Sequence, residues 1–302
     1  MTKEVPVLTP EALRFLILNC YPRESRRRFD EMDVGHPHHL FRRCLLKYAP
    51  NAKVDIRFIA DVEEPLPSAR ELRRYDGIIW TGSDLTVYHS HDPRVTRQIE
   101  LARLIYGLGI PSYGSCWGIQ MAAVAAGGEV RRNPKGREWG VVRNIVHTPE
   151  GKDSLLLQGK PDRYNGFIMH LDEVTKLPQG AKLLATGDHT RVQAIEVTYR
   201  NGVFWATQYH PEYDFYEMGR LIRARAEALV REGFFGSTDE VMQHVELYFS
   251  LHKDPSSPRL RAELGVGDNI IDPSVREMEI RNWIEFLVLP LREERRSYAV
   301  GR

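Results

Sequence analysis

The chain has 302 residues, 42% hydrophobic and 27% charged, with Lys+Arg 42 against Asp+Glu 41. That length can bury a substantial core, in one large or two small domains. A net charge of +1 provides no overall field to attract nucleic acid or an anionic membrane. The clusters Arg26-Arg27-Arg28, Arg42-Arg43 and Arg131-Arg132 sit among acidic residues and read as solvated faces. Cys20, Cys44 and Cys116 form no C-x-x-C pair, which excludes a zinc-finger signature and a disulfide framework. Met1 to Pro10 lacks the basic start and apolar core of a signal peptide, and no apolar run approaches bilayer length. A reducing, cytoplasmic setting is expected, with thiols left free.

In chain order, Leu13–Cys20 is a compact apolar run that predicts a buried first strand. A helix over His38–Tyr48 and a strand over Val54–Ala60 follow. Gly77–Thr81 reads as a third strand, Pro93–Leu108 as a helix closing on Gly109, and Ile110–Tyr113 as a fourth strand. Gly118–Ala126 continues as a small-residue helix stopped by Gly127-Gly128. This alternation predicts an α/β fold with a mostly parallel, doubly wound sheet and helices on both faces.

The middle carries shorter strands over Val141–His147, Phe167–Val174 and Lys182–Thr186. Gln193–Tyr199 and Val203–Gln208 flank Arg200-Asn201-Gly202, a hairpin turn signal. Beyond Glu212 the pattern turns helical: Tyr216–Arg231, Thr238–His252, a Pro/Ser/Gly-rich loop over Asp254–Asp272, and a helix over Ser274–Arg295. A boundary near Gly236 would separate a main domain, residues 1–235, from a helical C-terminal extension, residues 236–302.

Two segments carry the chemistry. Gly114-Ser115-Cys116-Trp117-Gly118 places a cysteine on a sharp turn between strand and helix, its glycines permitting the turn and keeping side chains clear. The positive end of a helix dipole favours thiolate there, and the Trp117 N–H would face an oxyanion formed on an attacked carbonyl. Taken alone, Cys116 reads equally well as a small buried hydrophobe. Gln208-Tyr209-His210-Pro211-Glu212 adds a histidine and, two residues on, a carboxylate on the same side of an extended chain. Glu212 would fix the imidazole tautomer and leave its other nitrogen to the thiol. Nucleophile, base and orienting acid are what covalent acyl transfer needs.

With these motifs the chain resembles the class I, triad-type glutamine amidotransferases, as in the glutaminase domain of GMP synthetase. The likeness runs through Gly114-Ser115-Cys116-Trp117-Gly118-Ile119-Gln120, Glu138-Trp139-Gly140, His170-Leu171-Asp172-Glu173-Val174, Val192-Gln193-Ala194-Ile195-Glu196 and Gln208-Tyr209-His210-Pro211-Glu212, across roughly residues 13 to 235. It implies a flavodoxin-like fold and attack by Cys116 on the glutamine side-chain amide, giving a γ-glutamyl thioester. His210 would take the thiol proton and return it to departing ammonia. Gln120, His170 and Leu171 would border the substrate, and Trp117 with the Gly82-Ser83 turn would hold the oxyanion. The family commonly has Gly-Gly-Pro at that turn, where this chain reads Thr81-Gly82-Ser83-Asp84.

No P-loop or other nucleotide motif accompanies the triad, and the histidines at 36, 38, 39, 89 and 91 have no matching ligand array. No metal or cofactor is expected. A free-standing glutaminase passing ammonia to a synthetase in trans is the first reading. A partner-independent hydrolase or transferase of another γ-glutamyl amide is the second, and a catalytically silent regulatory relative the third. The helical tail would dock a synthetase, cover the site, pack on its own domain or build a homo-oligomer.

Overall fold

The computed structural model describes residues 12–300, and Met1 to Pro10 lies outside them. The strands are β1 (Arg14–Asn19), β2 (Lys53–Phe58), β3 (Gly77–Trp80), β4 (Ser112–Ser115), β5 (Glu129–Arg132), β6 (Glu138–His147), β7 (Arg163–His170), β8 (Asp172–Lys176), β9 (Ala181–Thr186), β10 (Ala194–Tyr199) and β11 (Gly202–Thr207). One nine-stranded sheet runs β2-β1-β3-β4-β11-β10-β9-β6-β7, and β5 pairs with β8 apart from it. From β2 to β11 neighbours are parallel, and from β11 to β7 they are antiparallel.

Helices α1 (Arg23–Glu31), α2 (Pro37–Tyr48), α3 (Ala69–Leu72), α4 (Pro93–Leu108) and α5 (Trp117–Ala125) lie between the parallel strands or follow them. After α6 (Pro149–Lys152) come α7 (Phe215–Ala224), α8 (Ala226–Arg231), α9 (Thr238–Lys253), α10 (Pro258–Leu264), α11 (Asp268–Ile271), α12 (Pro273–Arg276), α13 (Met278–Trp283) and α14 (Leu289–Val300). A π turn over Ile284–Val288 joins the last two.

The apolar run of β1 is continuous because both its faces are covered. Leu16 and Leu18 join one core with Trp80, Trp117 and α4. Phe15 and Ile17 join the opposite core with Phe41, Tyr113, Ile280, Trp283 and Val288. A third core holds Tyr21, Phe29 and Phe167 against α7 and α9. Segments beyond Gly236 therefore contribute to two of the three cores: Val241, Val245 and Tyr248 to the third, Ile280 and Trp283 to the second. Trp283 lies so close to β3 that a Cβ on Gly77 would meet its ring at 2.6 Å. Glycine in that strand makes room for the indole.

Several expectations need correction. The loop over Asp254–Asp272 contains α10 and α11: Pro258 opens α10 and Gly265, in the left-handed region at φ 63°, closes it. The helix over Ser274–Arg295 is broken at Glu277 and passes through the π turn. The strand over Phe167–Val174 is two strands in different sheets, parted at Leu171, whose carbonyl accepts from the Asn133 N–H at 2.8 Å. The helix over Tyr216–Arg231 is interrupted at Arg225. Helix α1 escapes an apolar pattern because only Ser25 and Phe29 are buried in it.

Candidate active site

Cys116 follows directly on β4, its N–H donating to the Thr207 carbonyl of β11 at 2.8 Å, and precedes the first residue of α5. Its backbone sits at φ 55°, ψ −97°, a positive φ that a side chain makes costly, on the order of 1–3 kcal/mol. The flanking glycines permit the turn by their size. A Cβ on Gly114 would lie 2.8 Å from the Gly118 Cα and 3.0 Å from the Trp80 Cβ; one on Gly118 would lie 3.2 Å from the Trp80 carbonyl. The helix must start this close to β3 and β4 for the thiol to stand at the sheet's carboxyl edge, where doubly wound folds place their ligands.

His210 arrives from β11 through Gln208 and Tyr209, with its N–H donating to the Phe167 carbonyl at 2.8 Å. The Glu212 carboxylate meets His210 Nδ1 at 2.7 Å. This leaves the second ring nitrogen for Cys116, whose side chain helps raise the imidazole while its Sγ reaches the Met169 carbonyl at 4.0 Å. Both partners of the His210–Glu212 pair are buried. Burial alone would lower the imidazole, but the Glu212 charge and the Cys116 contact outweigh it and hold His210 up at about 10. Tyr213 stacks on the ring at 4.4 Å and 20°. Ser115 Oγ donates to Glu212 Oε1 at 2.8 Å, fixing the carboxylate from the strand that carries the cysteine.

A cavity of about 350 Å³ opens over these groups, lined by Cys116, His210, Tyr21, Gln120, His170 and Asp172 among others. Gln120 Nε2 donates to the Asp172 carbonyl at 3.4 Å, while its buried Oε1 has no partner and is free for a donor on a ligand. His170 contributes differently. Its Nδ1 is 2.8 Å from the Asp172 carbonyl and its Nε2 3.1 Å from Glu138, so the ring is occupied within the protein and shapes the wall. Leu171, in the break between β7 and β8, also lines the cavity.

The Gly82-Ser83 turn stands beside the pair: a Cβ on Gly82 would lie 3.3 Å from His210 Cε1 and 3.8 Å from Cys116 Cβ. Thr81 Oγ1 donates to the Gly82 carbonyl at 2.9 Å. Ser83 Oγ donates to the Cys20 carbonyl at 2.8 Å and accepts from the Leu85 N–H at 3.2 Å. Asp84 accepts from Ser25 Oγ at 2.9 Å. The two residues that depart from Gly-Gly-Pro thus pin the turn through their side chains. Trp117 is buried, its indole donating to Gln98 at 2.9 Å, and its backbone N–H, first in α5, has no preceding turn of carbonyls to serve.

Sequence reasoning missed Ser115, Tyr21 and Tyr213. Ser115 lay inside the cysteine motif, but nothing in its spacing pointed to Glu212. Among the described residues no group of His, Cys, Asp and Glu is arranged to hold a metal ion, and no helix is long and apolar enough to cross a membrane.

Comparisons with known proteins bear on this geometry. A family model described as Glutamine amidotransferase class-I matches residues 39–225. The gamma-glutamyl-L-1-hydroxyisopropylamide hydrolase of a Pseudomonas species is 32% identical over 297 residues, covering 96% of this chain and 98% of the relative. The GMP synthase of Leifsonia xyli subsp. xyli is 34% identical over 151 residues, which is 50% of this chain and 28% of that enzyme. Among solved structures, a glutamine amidotransferase from Thermotoga maritima shares the fold, with a TM-score of 0.62 at 21% identity over 91% of this chain and 98% of its own. The family model spans more than half the chain, and the Pseudomonas relative matches it nearly end to end: the chain belongs to the class I glutamine amidotransferase family.

Proposed function

We propose that this protein cleaves a γ-glutamyl side-chain amide through a thioester on Cys116. The observation that carries the reading is the Cys116 turn, at φ 55°, set against a buried His210–Glu212 pair at 2.7 Å. A histidine beside a thiol takes up its proton as sulfur attacks, so the pair supplies both the nucleophile and the proton for the leaving group. Sulfur attacks the amide carbon, the oxyanion turns to the Trp117 N–H and the Gly82-Ser83 turn, and His210 gives its proton to the departing amine. Water, deprotonated by the now neutral imidazole, then releases glutamate. Gln120 and the backbone around His170 and Leu171 hold the amino-acid end.

Glutamine, with ammonia leaving for a synthetase in trans, is one substrate of this chemistry. A specific observation favours a second. The Pseudomonas hydrolase is matched over 98% of its length, whereas the GMP synthase is matched over 28%. The substrate class we favour within the proposal is therefore an N-substituted γ-glutamyl amide, with a small amine as leaving group and no partner subunit needed. The chain's three free, buried cysteines suit a reducing cytoplasm.

Amine and ammonia release should be measured from γ-glutamyl alkylamides and from glutamine, with Cys116→Ala as control. The expected outcome is turnover of the alkylamides, weaker turnover of glutamine, and loss of both in the variant. Robust glutaminase activity raised further by an added synthetase would favour the ammonia-donor reading. Full activity in Cys116→Ala would sink the mechanism.

A further inference from the structure

The residue before His210 is tied to the far end of the chain. Tyr209, fully buried on β11's exit, donates from its hydroxyl to Glu279 Oε1 of α13 at 2.5 Å. The same oxygen lies 2.5 Å from Lys160 Nζ, in an ion pair whose side chains are 1% and 0% exposed. Tyr164 on β7 closes the group, its hydroxyl 2.8 Å from that of Tyr209. Lys160 also donates to the Val275 and Arg276 carbonyls at 3.3 and 3.4 Å, and Asn282 of α13 donates to the Leu156 and Gln158 carbonyls at 2.9 Å each.

A second tie runs to the other end of the same segment. Glu277 binds Lys47 and Tyr48 of α2 at 2.9 and 3.1 Å. From that helix Arg43 donates to the Glu212 carbonyl at 3.2 Å and pairs with Asp214 at 3.4 Å. The short stretch from His210 to Glu212 is thereby held before its first residue by Glu279 and, through α2, at its last by Glu277.

An ion pair this deeply buried is a costly way to fill space, since two apolar side chains of similar volume pack there as well or better. What it gives that an apolar pair cannot is a directed acceptor for the Tyr209 hydroxyl. The ring's room to move is already small: a Cβ on Gly166 would sit 2.9 Å from the Tyr209 Cβ. A nucleophile and its base must keep their geometry to within about half an ångström and 10–20°.

We propose that Glu279, with Lys160, is a positioning residue for His210, so that the C-terminal helices complete the catalytic site rather than merely append to it. The proposal rests on the thioester reading above. It assigns the last helices a task inside this chain, with no partner subunit required.

The test uses the full-length chain and three variants: Tyr209→Phe, Glu279→Gln, and the paired Lys160→Met with Glu279→Leu. The paired change removes both charges together, so it keeps the fold where Glu279→Gln strands Lys160. Two readouts are taken per folded molecule: kcat and KM on a γ-glutamyl alkylamide, and the pH profile of Cys116 alkylation by iodoacetamide, which needs no substrate. Thermal unfolding runs alongside. For the paired variant we expect native-like unfolding, a kcat lower by roughly tenfold or more with KM little changed, and an alkylation profile displaced from that of the wild type. Tyr209→Phe is expected to show a smaller change in the same direction. Folded variants with wild-type kcat and wild-type alkylation profile would overturn the positioning role and leave the thioester reading standing. A His210→Gln variant with the wild-type alkylation profile would instead remove the Cys116–His210 pair itself.

Discussion

Burial alone would push the His210 imidazole below its ordinary 6.5, yet Glu212 and Cys116 hold it at about 10. A group raised on folding contributes stability that is complete below its unfolded value and lost as pH rises through its folded one. The His210–Glu212 pair should therefore stabilise the native state fully below about pH 6.5 and release that stability on the way to about pH 10. Comparing chemical denaturation of the wild type and His210→Gln across this range checks the sign. The gap between them should narrow as pH rises; a gap that widens would mean that the folded imidazole is neutral at neutral pH. Ser115 belongs to the same group of charges, because its hydroxyl is bonded to the carboxylate oxygen that faces the ring. Nothing in the sequence marked it, since a serine inside a glycine-rich turn reads as turn chemistry.

At the scale of elements, the junction of β4 with α5 was legible because its constraint is local. Glycine, cysteine and glycine at alternate positions predict a tight strand-to-helix turn, and a Cβ on Gly114 or Gly118 would crowd Trp80 at 3.0 or 3.2 Å. Gly114→Ala would force its methyl to within 2.8 Å of the Gly118 Cα. The helix start would have to shift, at a cost of about 1–3 kcal/mol, and the cysteine with it. Lowered thermal stability together with loss of amide hydrolysis is the expected result; a variant with wild-type turnover would show that the turn tolerates displacement. The strands β1 and β3 and the β10–β11 hairpin were legible for a similar reason, being short apolar runs with turn residues at their ends; β4, with the sequence SYGS, lies two residues beyond the strand expected over Ile110–Tyr113. What escaped was decided by distant contacts. Leu171 divides one apolar run between two sheets because Asn133 claims its carbonyl. Helix α10 has its Leu260 and Leu264 buried in the third core, yet the Pro255-Ser256-Ser257-Pro258 stretch that leads into it reads as loop. The C-terminal run breaks at Glu277, whose carboxylate serves Lys47 and Tyr48, 230 and 229 positions away, a pairing that no local pattern carries.

For the molecule as a whole, the question is whether residues 1–235 stand alone. The family model ends at residue 225, and a domain boundary near Gly236 is compatible with that. Packing argues for dependence across the boundary. Val241, Val245, Tyr248 and Leu251 are buried in the third core, and Ile280, Trp283, Ile284 and Val288 in the second. Full burial of such side chains contributes about 1.5–3 kcal/mol each, so together they outweigh a typical net stability of about 5–15 kcal/mol. The ordering cost of the removed segment disappears with it, but the face it leaves does not close: Phe15, which packs on Trp283 at 5.6 Å, would meet water, and Lys160 would be left without Glu279. A chain of residues 1–235 is therefore expected to bind a hydrophobic dye, to lack near-ultraviolet dichroism and to unfold without a cooperative transition. Trp283→Ala in the full chain, costing about 3–5 kcal/mol, would be the graded version of the same loss. A soluble 1–235 chain that unfolds cooperatively at the wild-type temperature would establish instead that the extension is a separate domain.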